Sequence, residues 1–184
     1  MSNAAVTIRI AEPRDAQAIA EMSRDHIETG LGWRYDAARM LRAMRRKETC
    51  VLAARRRPST LREPSPFARD MPPLAGFAIM DFGDERAHLV LLAVHPAHRR
   101  RGVGRALVDW LLASSRTAGM ASIHLELRAA NEAARRFYRA LGFSETVLMP
   151  RYYDGREAAM RMLLVLRAPG PVPLAWRPPA LGQK

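Results

Sequence analysis

The stretch Arg99-Arg100-Arg101-Gly102-Val103-Gly104-Arg105-Ala106 is equipped to bind a phosphate group. It joins an apolar run, Leu89 to Val94, that reads as a buried strand, to an amphipathic helix expected from Val103 to about Ala118. A strand turning through glycines into a helix leaves backbone N–H groups unpaired at the helix's positive end. The flanking arginines add mobile positive charge, so a pyrophosphate suits the arrangement. Spacing excludes two familiar phosphate loops. No Gly-x4-Gly-Lys-Ser/Thr string occurs, and a dinucleotide fingerprint would need a small residue where Leu107 continues the apolar stripe. What remains is Arg/Gln-x-x-Gly-x-Gly/Ala, with a tight turn carrying basic decoration as the plainer account.

A second block lies downstream: Leu125-Glu126-Leu127-Arg128-Ala129-Ala130-Asn131, followed by Ala134, Phe137-Tyr138 and Leu141-Gly142-Phe143. Glu126 interrupts an apolar strand on the same side as His124 and Arg128. A carboxylate there costs desolvation unless it faces a wet cleft, where a raised pKa would make it a base. Pairing with Arg128 or a neighbouring arginine at a solvated face is the alternative.

Together the two blocks resemble the GNAT superfamily of N-acetyltransferases. The first is similar to its acyl-CoA pyrophosphate loop. The second is similar to Leu-Glu-Val-Arg-x-x-Asn-x-x-Ala-x-x-Leu-Tyr-x-x-x-Gly-Phe of bacterial N-terminal acetyltransferases that modify ribosomal proteins. Leu92-Ala93-Val94-His95-Pro96 fits that family's strand ahead of the loop, and the spacing runs without a gap. The resemblance covers about residues 74–166 and, more loosely, 6–166. It implies acetyl-CoA as cosubstrate, with Leu92, Ala93 and Val94 pairing with pantetheine through their backbones and an N–H near Val94 facing the oxyanion. Arg99, Arg100, Arg101, Gly102, Val103, Gly104 and Arg105 would hold the phosphates, and Asn131 would hydrogen-bond the cosubstrate while capping a helix. Acetyl transfer needs a neutral amine, and an α-amine of pKa ~8 or a lysine of ~10.4 must first lose a proton. The resemblance implies Glu126 as that base and Tyr138 as the acid that protonates the departing sulfur. A core tyrosine with its hydroxyl at the surface is the other reading.

The acceptor side is less well specified. Arg151-Tyr152-Tyr153, with Gly155-Arg156-Glu157-Ala158-Ala159 and Met162, is similar to the family's peptide-site segment Asn-Tyr-Tyr…Gly-Arg-Glu-Asp-Ala…Met. Arg151 stands for asparagine, Ala158 for aspartate, and the intervening loop is shorter. Trp33, Tyr35, Tyr152 and Tyr153 are the candidates for the acceptor cleft, or are packing residues. The implied acceptor is a protein or peptide N-terminal α-amine. Small amines, and a basic CoA- or nucleic-acid-binding protein without catalysis, are the alternatives.

These groups need a scaffold, and the periodicity supplies one. Strands are expected at Val6–Ile10, Thr49–Ala54, Leu74–Phe82, Ala87–Val94, Ile123–Arg128, Phe143–Met149 and Met160–Leu166. Helices are expected after Pro13, from an Asp36 N-cap to Lys47, over Val103–Ala118 with Gly119 at its end, and from an Asn131 N-cap to Gly142. The order predicts an α/β mixed sheet with helices on both faces, the acyl-CoA N-acyltransferase fold that the resemblance implies. Residues 1–167 would form one domain. Residues 56–73 and 168–184 each carry five prolines and read as a mobile loop and a disordered tail.

Composition narrows the setting. The chain has 184 residues, 48% of them hydrophobic, enough for one core. The N-terminus lacks a secretory pattern and no apolar run approaches the roughly 18 residues of a membrane span. The lone Cys50 excludes an internal disulfide and fits a reducing cytoplasm. His26, His88, His95, His98 and His124 show no metal-ligand spacing, so no metal is expected. The net charge of +12 favours anionic ligands. No RNA-binding motif or Cys/His finger accompanies it, so nucleic acid is not the expected substrate. A homodimer is left open.

Overall fold

The computed structural model describes residues 6–56 and 73–167. The expectations for the connection 57–72 and the tail 168–184 lie outside those residues. Seven strands form one sheet in the order β1-β2-β3-β4-β5-β7-β6: β1 Val6–Ile10, β2 Thr49–Arg56, β3 Leu74–Phe82, β4 Arg86–Val94, β5 Ser122–Arg128, β6 Ser144–Tyr153 and β7 Glu157–Val165. All neighbours run antiparallel except β4 and β5. That pair is joined by α3, Val103–Thr117, the crossover that a parallel pair requires.

Two cores sandwich the sheet. Val103, Leu107 and Leu111 of α3, with Tyr138 of α4 (Glu132–Arg139), pack on Leu89, Ile123, Leu125 and Met162. On the other face, Ile19 and Ala20 of α1 (Ala16–His26) and Met40 of α2 (Ala37–Arg45) cover Val51, Phe77, Ile79 and Leu91. The helix ends carry the expected caps: Asp36 Oδ1 accepts from Arg39 N at 2.7 Å, and Asn131 Oδ1 from Ala134 N at 3.1 Å.

Two features of β4 shape the site. Its parallel pairing with β5 covers only Arg86–His88, so from Leu89 onward the two strands diverge. The register to β3 also shifts, with Ile79 opposite Leu91 and Met80 opposite Leu89, leaving Val90 as an extra residue. This bulge changes the side-chain phase. Ala87 and Leu89 enter the α3 core, whereas Leu91 and Ala93 enter the α1/α2 core.

One expectation needs correction. The last two strands are longer than the apolar runs suggest, because β6 continues through Pro150 and a left-handed Arg151 (φ 57°) to Tyr153. It then turns through Asp154 and Gly155, both at positive φ, into Glu157. Tyr152 and Tyr153 therefore sit on a strand end, not in a loop. A proline and an irregular register hid that extension from an alternation search.

Candidate active site

The divergence of β4 from β5 exposes strand edge. His95 N donates to Ala75 O at 2.9 Å, and backbone groups alternate in direction along an antiparallel strand. The N–H groups of Val94 and Leu92 therefore point into the gap, where an added chain could pair with them. Val94 O also faces away from β3 and accepts from Arg99 Nε at 3.1 Å. Beyond it, Arg100 (φ 58°) and Gly102 (φ 81°) adopt left-handed conformations that turn the chain sharply into α3. Left-handed residues in such a turn aim N–H groups into one concavity, the anion nest anticipated above. At Gly104, a Cβ would sit 3.4 Å from Phe137 Cζ and from Val94 Cγ2, so glycine lets the first turn of α3 lie close to α4.

A cavity of about 790 Å³ runs along this surface. Leu92, Ala93, Val94, Arg99, Arg100, Gly102, Val103, Gly104, Arg105 and Asn131 line it, all expected from sequence. Arg101 does not. Arg136 and Phe137, which the sequence reading did not assign, do. Asn131 spends its side-chain carbonyl on the helix cap, which leaves its NH2 to donate.

A second cavity of about 730 Å³ lies across the sheet edge. His26, Leu92, Asn131, Ala134 and Tyr138 line both cavities, so the two meet at these residues. Tyr138 is 7% exposed and packed edge-on against Phe137 and Phe143. Burial pushes its phenol well above the ordinary value, so the hydroxyl stays protonated. Among the described residues no side-chain oxygen is sealed without a hydrogen-bond partner, and none donates to or accepts from Tyr138 Oη; the hydroxyl therefore opens onto the cavities. It is a core aromatic that also presents a proton at the junction.

Glu126 differs from expectation. Its side chain is 6% exposed and both oxygens are engaged: Oε2 with His88 Nε2 at 2.8 Å and Oε1 with Arg161 Nε at 2.7 Å. Burial alone would raise its pKa, but hydrogen bonds and charge from His88 and Arg161 outweigh that and hold it down to about 2. The expected raised pKa is therefore overturned. Nor is Arg128 the partner, since its guanidinium bonds Glu157 at 2.9 Å and Thr29 O at 2.6 Å. Sequence reasoning offered a neighbouring arginine, which is Arg161, without naming it, and missed His88. The register holds the signal: His88 stands level with His124 in the β4–β5 ladder, and Arg161 lies directly opposite Glu126 on β7.

That register also revises the histidine reading. His88, His124 and Glu126 present atoms within 4.8 Å of one another, a grouping that linear spacing does not show. The His88 and His124 rings are stacked at 4.5 Å and only 5° from parallel. Imidazole lone pairs lie in the ring plane, so parallel planes do not converge on one ion, and both oxygens of Glu126 are already engaged, by His88 and Arg161. Burial, then the His88 charge, lowers the His124 pKa.

Tyr35, Tyr152 and Tyr153 line the second cavity, as expected. Trp33 does not; it is 44% exposed and stacks under the Arg24 guanidinium 5.5 Å away. Burial lifts the Tyr153 phenol to about 12, so it serves as a neutral wall. Every carboxylate on the cavity is already satisfied. Glu28 accepts from Ser23 Oγ and the Arg34 and Tyr35 amides, Glu126 is engaged as above, and Asp154 pairs with Arg34 at 3.1 Å.

The chain and its fold are similar to known proteins. The sequence model for "Acetyltransferase (GNAT) family" matches residues 35–143. Over 94 residues the chain is 42% identical to the ribosomal protein bS18-alanine N-acetyltransferase of Escherichia coli K12, covering 50% of this chain and 64% of that protein. The stretch matched is thus less than two thirds of that relative's length. Among solved structures, Ard1 from Thermoplasma volcanium superposes with a TM-score of 0.71 at 28% identity, covering 89% of this chain and 99% of that one. The ribosomal-protein-S18-alanine N-acetyltransferase structure from Escherichia coli gives 0.69 at 27%, covering 90% and 97%.

Proposed function

Because the chain belongs to the acetyltransferase (GNAT) family, we propose that it moves the acetyl group of acetyl-CoA directly onto a primary amine, with a protein or peptide N-terminal α-amine as acceptor. The observation that carries this reading is the meeting of two cavities at Tyr138, one made of backbone donors and the other of aromatic and ion-paired side chains.

Acetyl-CoA supplies an acetyl thioester. The residues present fit it: the Arg100–Arg105 backbone for the pyrophosphate, the free edge of Leu92 and Val94 for the pantetheine arm, and arginine side chains for the remaining phosphate. The Val94 N–H is the proposed oxyanion donor, a role whose loss typically costs ~10²–10³ in rate. Tyr138 gives its proton to the departing sulfur. Thiols ordinarily titrate near ~8.5, below this phenol, so Tyr138 must recover a proton from the acylated nitrogen in the same event.

The acceptor class rests on two supports. The named sequence relative acts on a ribosomal protein's alanine. In addition, no unpaired carboxylate among the described residues lines the cleft to attract a polycation, whereas Tyr35, Tyr152 and Tyr153 wall a groove suited to an extended peptide. Residues 1–167 are proposed as one catalytic domain working in the reducing cytoplasm, where the half-buried Cys50, its thiol pushed up to about 11 by burial, would be inert. The test is CoA release from acetyl-CoA with peptides beginning in alanine, compared with polyamines and free amino-acid amides. Faster turnover of the peptides supports the reading. Turnover of polyamines alone moves the acceptor to small molecules.

A further inference from the structure

The Glu126 cluster contains a group that the reaction above has not used. We propose that His88 accepts the proton the acceptor amine must lose, with Glu126 as the positioning residue that orients and stabilises the imidazole. This rests on the acetyltransferase reading and adds the identity of its proton acceptor.

Glu126 has no oxygen to spare: one is bonded to His88, the other to Arg161, and the side chain is 94% covered. Its carboxyl also lies too low to hold a proton near neutrality. His88 is the more accessible of the pair, with about a third of its side chain exposed, and it lines the acceptor cavity. An ionised carboxylate only accepts, so His88 Nε2 must be the donor to Glu126. That tautomer leaves the lone pair on Nδ1. The stacked His124 ring, 4.5 Å away, restrains rotation of His88.

The charged and titratable groups around His88 are accounted for. His124 and Glu126 face it from β5 and Arg161 from β7. Asp81 stands opposite on β3 with one oxygen held by the Thr49 hydroxyl at 2.5 Å. Across the cavity lie Tyr35, Tyr153 and the fully bonded Glu28. Glu126 is thus the anion in direct contact, and an imidazolium at His88 would be neutralised where it forms.

The protons balance. An ammonium acceptor loses two on becoming an amide. His88 Nδ1 takes the first, directly or through one water, as the N–H bond breaks and the ring becomes imidazolium against Glu126; it returns that proton to solvent. The second ends on the sulfur through Tyr138, as described above.

The experiment is the pH dependence of CoA release with an alanine-starting peptide for wild type, His88→Ala, His88→Gln and Glu126→Gln, with acetyl-CoA affinity measured by calorimetry for each. Both His88 variants should lower kcat by ~10²–10³, the range for general-base loss, while acetyl-CoA affinity stays within about twofold. They should also lose the acidic limb of the profile, and free imidazole should restore His88→Ala at least about tenfold. Glu126→Gln should keep the limb but move it to lower pH, because a neutral amide no longer stabilises imidazolium. The proposal is overturned if folded His88→Ala or His88→Gln keeps kcat within about threefold, or retains the acidic limb. If wild type binds acetyl-CoA but releases CoA to no amine, the acetyltransferase reading itself fails. Active wild type with unaffected His88 variants removes only the role of His88.

Discussion

The proposed cofactor groove and the proposed acceptor cleft share Tyr138, yet they are built from different material. The groove is made of backbone: a strand edge released by divergence, a turn through left-handed Arg100 and Gly102, and the first N–H groups of α3. The cleft is made of side chains that come from β4, β5, the end of β6 and the loop after α1, and it is held by ion pairs and hydrogen bonds, including one from Arg161 of β7. A backbone-made site tolerates side-chain change but not change in chain path. A site made of side chains responds in the opposite way.

Four outcomes would break or sharpen that contrast. The largest effect belongs to the junction. Tyr138→Phe removes only a hydroxyl with no hydrogen-bond partner among the described residues, so kcat should fall ~10²–10³ while acetyl-CoA affinity holds within about twofold; an unchanged kcat in the CoA-release assay would strip Tyr138 of its proposed role as acid. Next comes the buried ion pair. The folded Glu126 pKa is depressed to about 2, so the stability it confers is full above the ordinary carboxylate range and disappears as pH falls through ~4.5 toward 2. Up to ~3 kcal/mol is at stake for a side chain this well covered, shared with two partly exposed partners. Denaturant melts should show Glu126→Gln flatter than wild type across that window; parallel slopes would mean the cluster adds no net stability.

A smaller effect tests the groove. Gly102→Ala forces a Cβ into a left-handed conformation at a cost of ~1–2 kcal/mol, spread between unfolding and CoA binding. Melting with and without CoA measures both, and an undiminished sum would show that the turn adjusts freely. The smallest effect is expected at the cleft rim. The Arg34–Asp154 bridge is exposed, so Arg34→Ala should cost under ~1 kcal/mol of stability and shift peptide KM by at most about fivefold, with acetyl-CoA affinity unaltered. A large drop in kcat would mean that the bridge orders the site.

The same contrast explains what was legible in the residues. The groove could be read because its parts are contiguous: an apolar run, two glycines, an amphipathic stripe and an Asn131 cap follow one another, and each has a local physical signature. Ten of the eleven residues expected there line it, and the exception, Arg101, is a side chain whose direction depends on the turn. The charged cluster of the cleft was read through Glu126, without naming the partners that set its protonation. His88 and Arg161 lie 38 and 35 residues from it in sequence and meet it only through strand register. Trp33 lies outside the cavity lining, since an aromatic in a loop carries no sign in sequence of the direction it will face. Tyr152 and Tyr153 do line the cleft, although the strand that carries them was expected to end at Met149.

Val90 has a consequence for how this chain tolerates length change. As the unpaired residue of the bulge, it separates β4 into two half-strands that keep independent phase. The lower half, with His88, is locked to β5; the upper half, with Leu92 and Val94, is free of it. Deleting one residue here would merge the halves into a single alternation. Every side chain would keep its layer, because Leu89 and Leu91 already stand opposite the adjacent Met80 and Ile79; what would be lost is the local bend and added twist that the bulge gives β4 where it leaves β5. One residue's worth of slack therefore keeps an ordinary sheet and an open docking edge on the same strand.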